Sequence, residues 1–370
     1  MDYNNILNPV VRDMKPSGIR KFFSIAEEME NVISLSVGEP DFKTPWHVRE
    51  AGISSLRSGK TRYTANAGMK KLREEISNYM FRRFSLRYSP SQTMISVGGS
   101  EAINLCIRSV ISQGDEVIIP EPCFVCYEPI TRMSGGVPVY LKTKMENNFR
   151  ITPEELKDKI TEKTKLLILP YPNNPTGAVM RREDLEKIAP IIKENNIFVL
   201  SDEIYAELTY GGSRHVSIAE IDGMYDRTVI VGGFSKAYSM TGWRLGFACG
   251  PEPIISQMIK VHQYAIMCAP TTAQYAGIEA IQNGDEDIAE MREQYDVRRR
   301  FIVNAFNSIG LDCFEPEGAF YIFPSIKRSD LTSEEFCEKL IYSKRVAVVP
   351  GTAFGESGEG FIRVSYCYSV

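Results

Sequence analysis

The stretch "TVIVGGFSKAYSMTGWRLGFACG", Thr228 to Gly250, holds two short apolar runs around a loop. "TVIVGG" and "LGFACG" have the β-rich, glycine-bounded character of buried strands. Between them stands one lysine, Lys236, among glycine, serine and apolar residues, and Arg244 follows eight residues later. Such a lysine is either a surface cation on a loop or a reactive amine. An ordinary lysine, with a pKa near ~10.4, is a poor nucleophile at neutral pH. Desolvation and nearby positive charge lower that value and suit the amine to Schiff-base chemistry.

Five similar runs precede this stretch: "TMISVG", "DEVIIP", "VPVYL", "KLLILP" and "IFVLSD". Helical patterns sit between several of them. Ile103, Cys106, Ile107 and Val110 follow helical spacing after "GGSEA", as do Leu185, Ile188, Ala189 and Ile192. "TPEEL" begins with a threonine cap, a first-turn proline and acidic residues, as helices do. The alternation predicts an α/β fold with a mostly parallel sheet covered by helices on both faces. After about Pro270 the pattern changes to a long helix with Met291, Tyr295, Ile302, Phe306 and Ile309 on one face. "GAFYIFP", a helix from "TSEEF", and the strands "VAVVP" and "FIRVSY" follow. This predicts a large domain over 45–270 and a smaller α+β domain built from 1–44 and 271–370.

Composition narrows the function. The 370 residues are 43% hydrophobic and 24% charged, as in ordinary globular proteins. A net charge of −4 argues against nucleic acid as the main partner. No apolar run has the length of a membrane span, and "MDYNNILNPVVRDMKPSGIRKFF" lacks a signal-peptide pattern, so a cytoplasmic protein is expected. Cys123 and Cys126 form a C-x-x-C, but the other six cysteines are scattered and the histidines are His47, His215 and His262. A closed zinc site needs about four ligands. Buried thiols, and no metal, are the expectation.

Functional groups in parallel sheets gather where strands end. "SVGGSEA" ends a strand and opens a helix, whose first N–H groups form a phosphate site or simply a tight turn. In "YPNNPTG", Asn174 precedes proline and is extended, with its amide free to meet a ligand or to build a turn. In "FVLSDEIY", Asp202 closes an apolar strand, either as a buried site acid or as the first-turn charge of a helix over "EIYAEL". Tyr205 stands three residues on. Arg244 can hold a phosphate through a two-pronged contact.

Together these segments resemble the class I/II aminotransferases that use pyridoxal 5′-phosphate (PLP), of fold type I. The resemblance spans nearly the whole chain: "SVGEPDF", "TRYTANAGMKKLREEI", "GGSEAI", "YPNNPTG", "SDEIY", "GGFSKAYSMTGWRLG" and "FIRVSY", in the family's order. It implies that Lys236 joins the cofactor covalently and later moves a proton between substrate Cα and cofactor C4′. Asp202 matches the partner of the pyridine nitrogen, and Asn174 and Tyr205 the hydrogen-bonding partners of the ring oxygen. Phe124 matches the aromatic that stacks on the ring, where Trp or Tyr is commoner. Gly99, Ser100, Glu101, Ser235 and Arg244 match the rest of the cofactor site. Tyr63 matches the tyrosine that reaches the phosphate of the other subunit, which implies a homodimer. Arg363 matches the grip on the substrate α-carboxylate, with Gly38 beside it and Ile19 and Tyr321 lining the side-chain pocket. Two departures stand out. Gly233 occupies a position where many relatives carry a phosphate-touching serine, and the chain ends at Val370, where relatives continue into a further helix.

The resemblance implies transfer of an amino group between an L-amino acid and a 2-oxo acid by ping-pong kinetics. A carbon–sulfur lyase or decarboxylase of the same fold shares the cofactor residues. A non-catalytic PLP-sensing module carries a DNA-binding domain ahead of this pattern, and none is expected here. "LNPVVRDMKPSGIRKF", "VHQY" and "MREQY" look closest to bacterial transaminases acting on N-acetyl-diaminopimelate or aromatic substrates, which favours transfer.

Overall fold

A computed structural model describes residues 1, 3–16, 18, 19, 22, 25, 28–212 and 214–369; Val370 lies outside them. After a short strand β1 (Ile33–Ser34), seven strands among the described residues build the main sheet. They are β2 (Thr93–Ser96), β3 (Glu116–Glu121), β4 (Val137–Lys142), β5 (Thr164–Leu169), β6 (Phe198–Asp202), β7 (Thr228–Gly233) and β8 (Gly246–Cys249). Their order is β2-β8-β7-β6-β5-β3-β4. β8 runs antiparallel to both its neighbours, and the pairs from β7 through to β4 are parallel.

The apolar runs form central strands because both faces of the sheet are covered. Successive residues of a strand point to opposite faces. Leu167 and Leu169 enter one hydrophobic cluster, Leu166 and Ile168 another, and all four are buried. Burying one such side chain stabilises the fold by about 1.5–3 kcal/mol. The helix Arg182–Glu194 buries Leu185, Ile188, Ala189, Ile191 and Ile192, and the helix Gly99–Val110 buries Ala102, Ile103, Leu105, Cys106 and Ile107. The helix Pro153–Lys157 has the expected start, a capping box between Thr152 and Glu155.

"EIYAEL" is a correction to one of the readings above: residues 204–207 form turns rather than a helix. The Asp202 carboxylate accepts from the Ile204 N–H two residues on, an Asx-type contact that favours a turn over a helix.

The helix Thr271–Asn283 packs on the helices Trp46–Arg57 and Lys70–Phe84, and the long helix Asp285–Ser308 follows it. That long helix buries Ile288, Met291, Tyr295, Arg299 and Val303. Ile302 and Phe306 are half-buried, and Ile309 lies beyond the helix end and is 71% exposed. Near the chain end, β9 (Tyr321–Ile322), β11 (Val349–Pro350) and β12 (Ile362–Ser365) form a second sheet in the order β11-β12-β9. β10 (Val346–Ala347) pairs in parallel with β1, so the start of the chain is tied to its last quarter. No helix among the described residues is long and apolar enough to cross a membrane.

Candidate active site

A cavity of about 270 Å³ lies where the parallel strands end and the second sheet meets the first. Its lining includes Gly99 and Ser100 after β2, Phe124 after β3, Asn174 after β5, Asp202 and Tyr205 at the end of β6, and Ser235 and Lys236 after β7. Arg244 enters just before β8. It reaches the same edge because β8 runs the opposite way. Ile19, Gly38, Tyr321 and Arg363 close the other side.

The Lys236 amine donates to the Gly38 carbonyl oxygen at 2.7 Å, and no carboxylate pairs with it among the described residues. Burial brings its pKa down to about 8, with Arg363 and Arg244 adding to the depression and Cys367 and Glu39 opposing it. A sizeable neutral fraction at neutral pH is what an amine nucleophile requires.

Asp202 is 6% exposed, and burial raises its pKa to about 6. Two donors hold the carboxylate: the Tyr127 hydroxyl to Oδ2 at 2.7 Å and the Ile204 N–H to Oδ1 at 3.2 Å. Tyr127 also lines the cavity and meets Phe124 edge-on, with ring centroids 6.3 Å apart. The sequence reading missed Tyr127. The one available signal is its place three residues after Phe124, on the far side of the cysteine pair.

The first turn of the Gly99–Val110 helix has no side-chain cap, which leaves leading N–H groups for a ligand. Gly98 sits at φ +79, and a Cβ there would lie 2.5 Å from Arg244 Nη2. The glycine therefore lets the guanidinium close on the helix start. Arg244 donates to the Thr241 carbonyl oxygen at 3.1 Å and has no carboxylate partner among the described residues.

Arg363 is 2% exposed and equally free of an acid partner among the described residues. Its Nη1 donates to Asn174 Oδ1 at 2.9 Å and its Nη2 to the Ser36 carbonyl oxygen at 2.5 Å. Its Nε is buried without a partner. The guanidinium lies 4.5 Å from the Tyr321 ring and 4.8 Å from the Phe354 ring. A buried guanidinium with no counter-charge has the chemistry to receive a carboxylate.

Two expected residues lie apart from this cavity. Tyr63 is 81% exposed and is not in the lining of its own chain. The Glu101 side chain accepts from the Val97 N–H and meets His262 Nδ1 at 2.8 Å, so only its backbone stands at the helix start. Thr241, Ile103 and Ile204 also line the cavity, although the sequence marks none of them as a site residue. At Gly233 a Cβ would lie 2.7 Å from Ile204 Cδ1, so Ile204 fills space that a serine there would need. All eight cysteines are free, and burial drives the Cys123 and Cys126 thiols well above their usual range. Among the described residues no cluster of His, Cys, Asp and Glu could hold a metal.

A family model described as aminotransferase class I and II matches residues 30–369. The aspartate aminotransferase of Pyrococcus abyssi is 45% identical over 95% of this chain and 92% of its own length. Aromatic-amino-acid aminotransferase 2 of Thermococcus litoralis is 42% identical, with 95% and 92% covered. The solved structure of aspartate aminotransferase from Thermus thermophilus with maleate has a TM-score of 0.94 at 37% identity. It covers 98% of this chain and 95% of that one.

Proposed function

The chain belongs to the class I and II aminotransferases and is an amino-group transferase, and from that premise we propose that it binds PLP in the cavity around Lys236. The residues present fit that group. They comprise a desolvated amine, a buried carboxylate, and an uncapped helix start whose glycine admits an acid-free guanidinium. When bound, PLP supplies a carbonyl that condenses with amines and a ring that accepts the electron pair of substrate Cα.

The chain's own residues do the rest. Lys236 Nζ holds the cofactor and carries the proton removed from substrate Cα. Asp202, oriented by Tyr127, keeps a proton at the ring nitrogen. Gly99, Ser100, Ser235 and Arg244 bind phosphate, and Phe124 covers the ring face. Asn174 and Tyr205 offer hydrogen bonds to the ring oxygen. Arg363 fixes the α-carboxylate and so orients the Cα–H bond. The observation that carries this reading is the buried, acid-free Arg363 guanidinium in the same cavity as a depressed-pKa lysine.

We also propose a homodimer in which Tyr63 serves the phosphate site of the partner subunit. The support is its 81% exposure away from its own cavity. The proposed cofactor domain is 45–270, with the packing of the Thr271–Asn283 helix on its helices as an extension beyond that boundary.

The test is a panel of L-amino acids with 2-oxoglutarate and the PLP-supplied protein. Glutamate and the matching 2-oxo acid should form together. Release of a thiol or of carbon dioxide without glutamate would overturn transfer.

A further inference from the structure

Two phenols in the cavity wall share one buried contact. The Tyr205 and Tyr321 hydroxyls lie 2.9 Å apart, and both side chains are buried. Along the line between them one hydroxyl donates and the other accepts. Their surroundings differ. The Arg363 guanidinium stands 4.5 Å from the Tyr321 ring, and a cation there favours negative charge on that phenol. Burial raises Tyr321 to about 12, with Arg363 opposing the rise. Burial takes Tyr205 well above its usual range, and the neighbouring Tyr321 adds to the rise. Tyr205 has a single hydroxyl proton, and the role proposed above directs it to the ring oxygen, so in this contact Tyr205 accepts and Tyr321 donates.

The path from Arg363 to Tyr205 is short. Arg363 is on β12, and β12 pairs with β9, which places Ser365 opposite Tyr321. Gly38 leaves room for the Tyr321 hydroxyl: a Cβ on Gly38 would lie 2.1 Å from it. The other titratable groups facing the pair are Cys367 beyond β12, Asp202 at the end of β6 and Lys236 after β7.

We propose that Tyr321 is a positioning residue that couples carboxylate binding at Arg363 to the hydroxyl Tyr205 offers the cofactor; the proposal rests on the roles given above to Arg363 and Tyr205. A carboxylate on Arg363 offsets the cation beside Tyr321 and weakens Tyr321 as a donor. The change is felt at Tyr205 without any motion of the strands.

Tyr321→Phe removes one oxygen and keeps the ring against Arg363. Wild type and variant, both loaded with PLP, are titrated by visible absorbance without and with maleate or 3-phenylpropionate as carboxylate probes. In wild type the probe should displace the apparent pKa. In the variant the displacement should shrink by about half a unit, a threefold change in equilibrium. Affinity for PLP, read by fluorescence, should fall about fivefold for the lost hydrogen bond. The probe should bind within about threefold of wild type, because the guanidinium is untouched. Should Tyr321→Phe fail to fold, Tyr205→Phe breaks the same contact and should lose the same displacement. Borohydride fixation and peptide mapping separate the two levels. A label on a lysine other than Lys236 overturns the site reading and this proposal with it. A label on Lys236, with a displacement absent in wild type or unchanged in Tyr321→Phe, overturns the proposal alone.

Discussion

Gly38 and Tyr321 occupy one volume: a Cβ on Gly38 would lie 2.1 Å from the tyrosine hydroxyl and 3.1 Å from its Cζ. The same glycine carbonyl accepts from Lys236. Gly38→Ala must therefore displace either the ring or the backbone that holds the lysine. Overpacking of this kind costs about 1–3 kcal/mol. The melting temperature should drop by several degrees and turnover by about 100-fold, the effect of a misplacement of about 1 Å. Gly38→Ala/Tyr321→Phe removes the shortest contact and should recover part of the stability. A double variant no more stable than Gly38→Ala would show that this clash is not the cause.

Lys236 is expected to react selectively in the cofactor-free protein. With a pKa of about 8 it is about half neutral at that pH. An ordinary lysine is neutral there to well under about 1%. Acylation at limiting reagent should therefore favour Lys236 by up to about 100-fold, read by peptide mapping. The linked stability effect has a definite sign. The folded state binds fewer protons than the unfolded state between about 8 and 10.5, so this group's contribution rises with pH across that window. Lys236→Met should be more stable than wild type at neutral pH and lose that advantage as pH rises through the window. A gap that does not change with pH would mean the lysine is not desolvated.

Asp202→Ala should retain some PLP but lose most of its turnover, by about 100-fold or more, because the role proposed for the acid lies mainly at the proton-transfer stage. Its titration gives a second test. The folded-state pKa of about 6 lies above the ordinary 3.8. Its stabilising contribution is therefore present at low pH and is lost as pH rises through about 6, by about 2–3 kcal/mol in all. In cofactor-free protein, wild type should lose ground to Asp202→Asn over that interval. Near-normal turnover in Asp202→Ala would reduce Asp202 to a structural charge.

The main sheet was readable because most of its strands are buried on both faces, which writes a continuous apolar run such as "KLLILP" into the chain; the edge strand β4, of which only Leu141 is buried, is the exception. Direction is not written that way. Nothing in "LGFACG" shows that β8 runs against its neighbours, yet that reversal is what brings Arg244 to Gly98. Asp202 and Lys236 stood out as candidates because they stand at or just after strand ends, whereas Arg363 lies within β12 and was singled out only by the family resemblance. Tyr127 was not legible, since a phenol near two cysteines gives no sign of the carboxylate it will meet 75 residues later. The turn over residues 204–207 was missed for a similar reason. "EIYAEL" has good helix formers, and the contact from Asp202 to the Ile204 N–H outweighs them.

Gly233 offers a gain-of-function test. Ile204 Cδ1 would lie 2.7 Å from a Cβ at Gly233, and that atom is the far end of a flexible side chain. Gly233→Ser should be tolerated but bring little, because Ile204 crowds the new hydroxyl. Gly233→Ser with Ile204→Val removes the crowding atom. It should tighten PLP binding about 3- to 10-fold for one added hydrogen bond to phosphate. Equal affinity in the single and double variants would mean that Ile204 does not control this position.

Arg363 separates substrate binding from cofactor binding. Its guanidinium is fully enclosed, with Asn174 and Ser36 taking one hydrogen bond each and the Tyr321 and Phe354 rings beside it. None of these partners carries a full charge, which supports the proposed role of the buried cation as receptor for a substrate carboxylate. Lysine keeps the charge but not the planar fork. Arg363→Lys should therefore leave the visible spectrum of the PLP-loaded protein intact. It should raise KM for every α-amino and 2-oxo acid by about 10- to 100-fold, in line with losing one charge-assisted hydrogen bond. Turnover should fall as well, because the fork also fixes the Cα–H bond. If Arg363 served folding alone, the variant would melt lower with unchanged kinetic constants, and the carboxylate-receptor reading would fail.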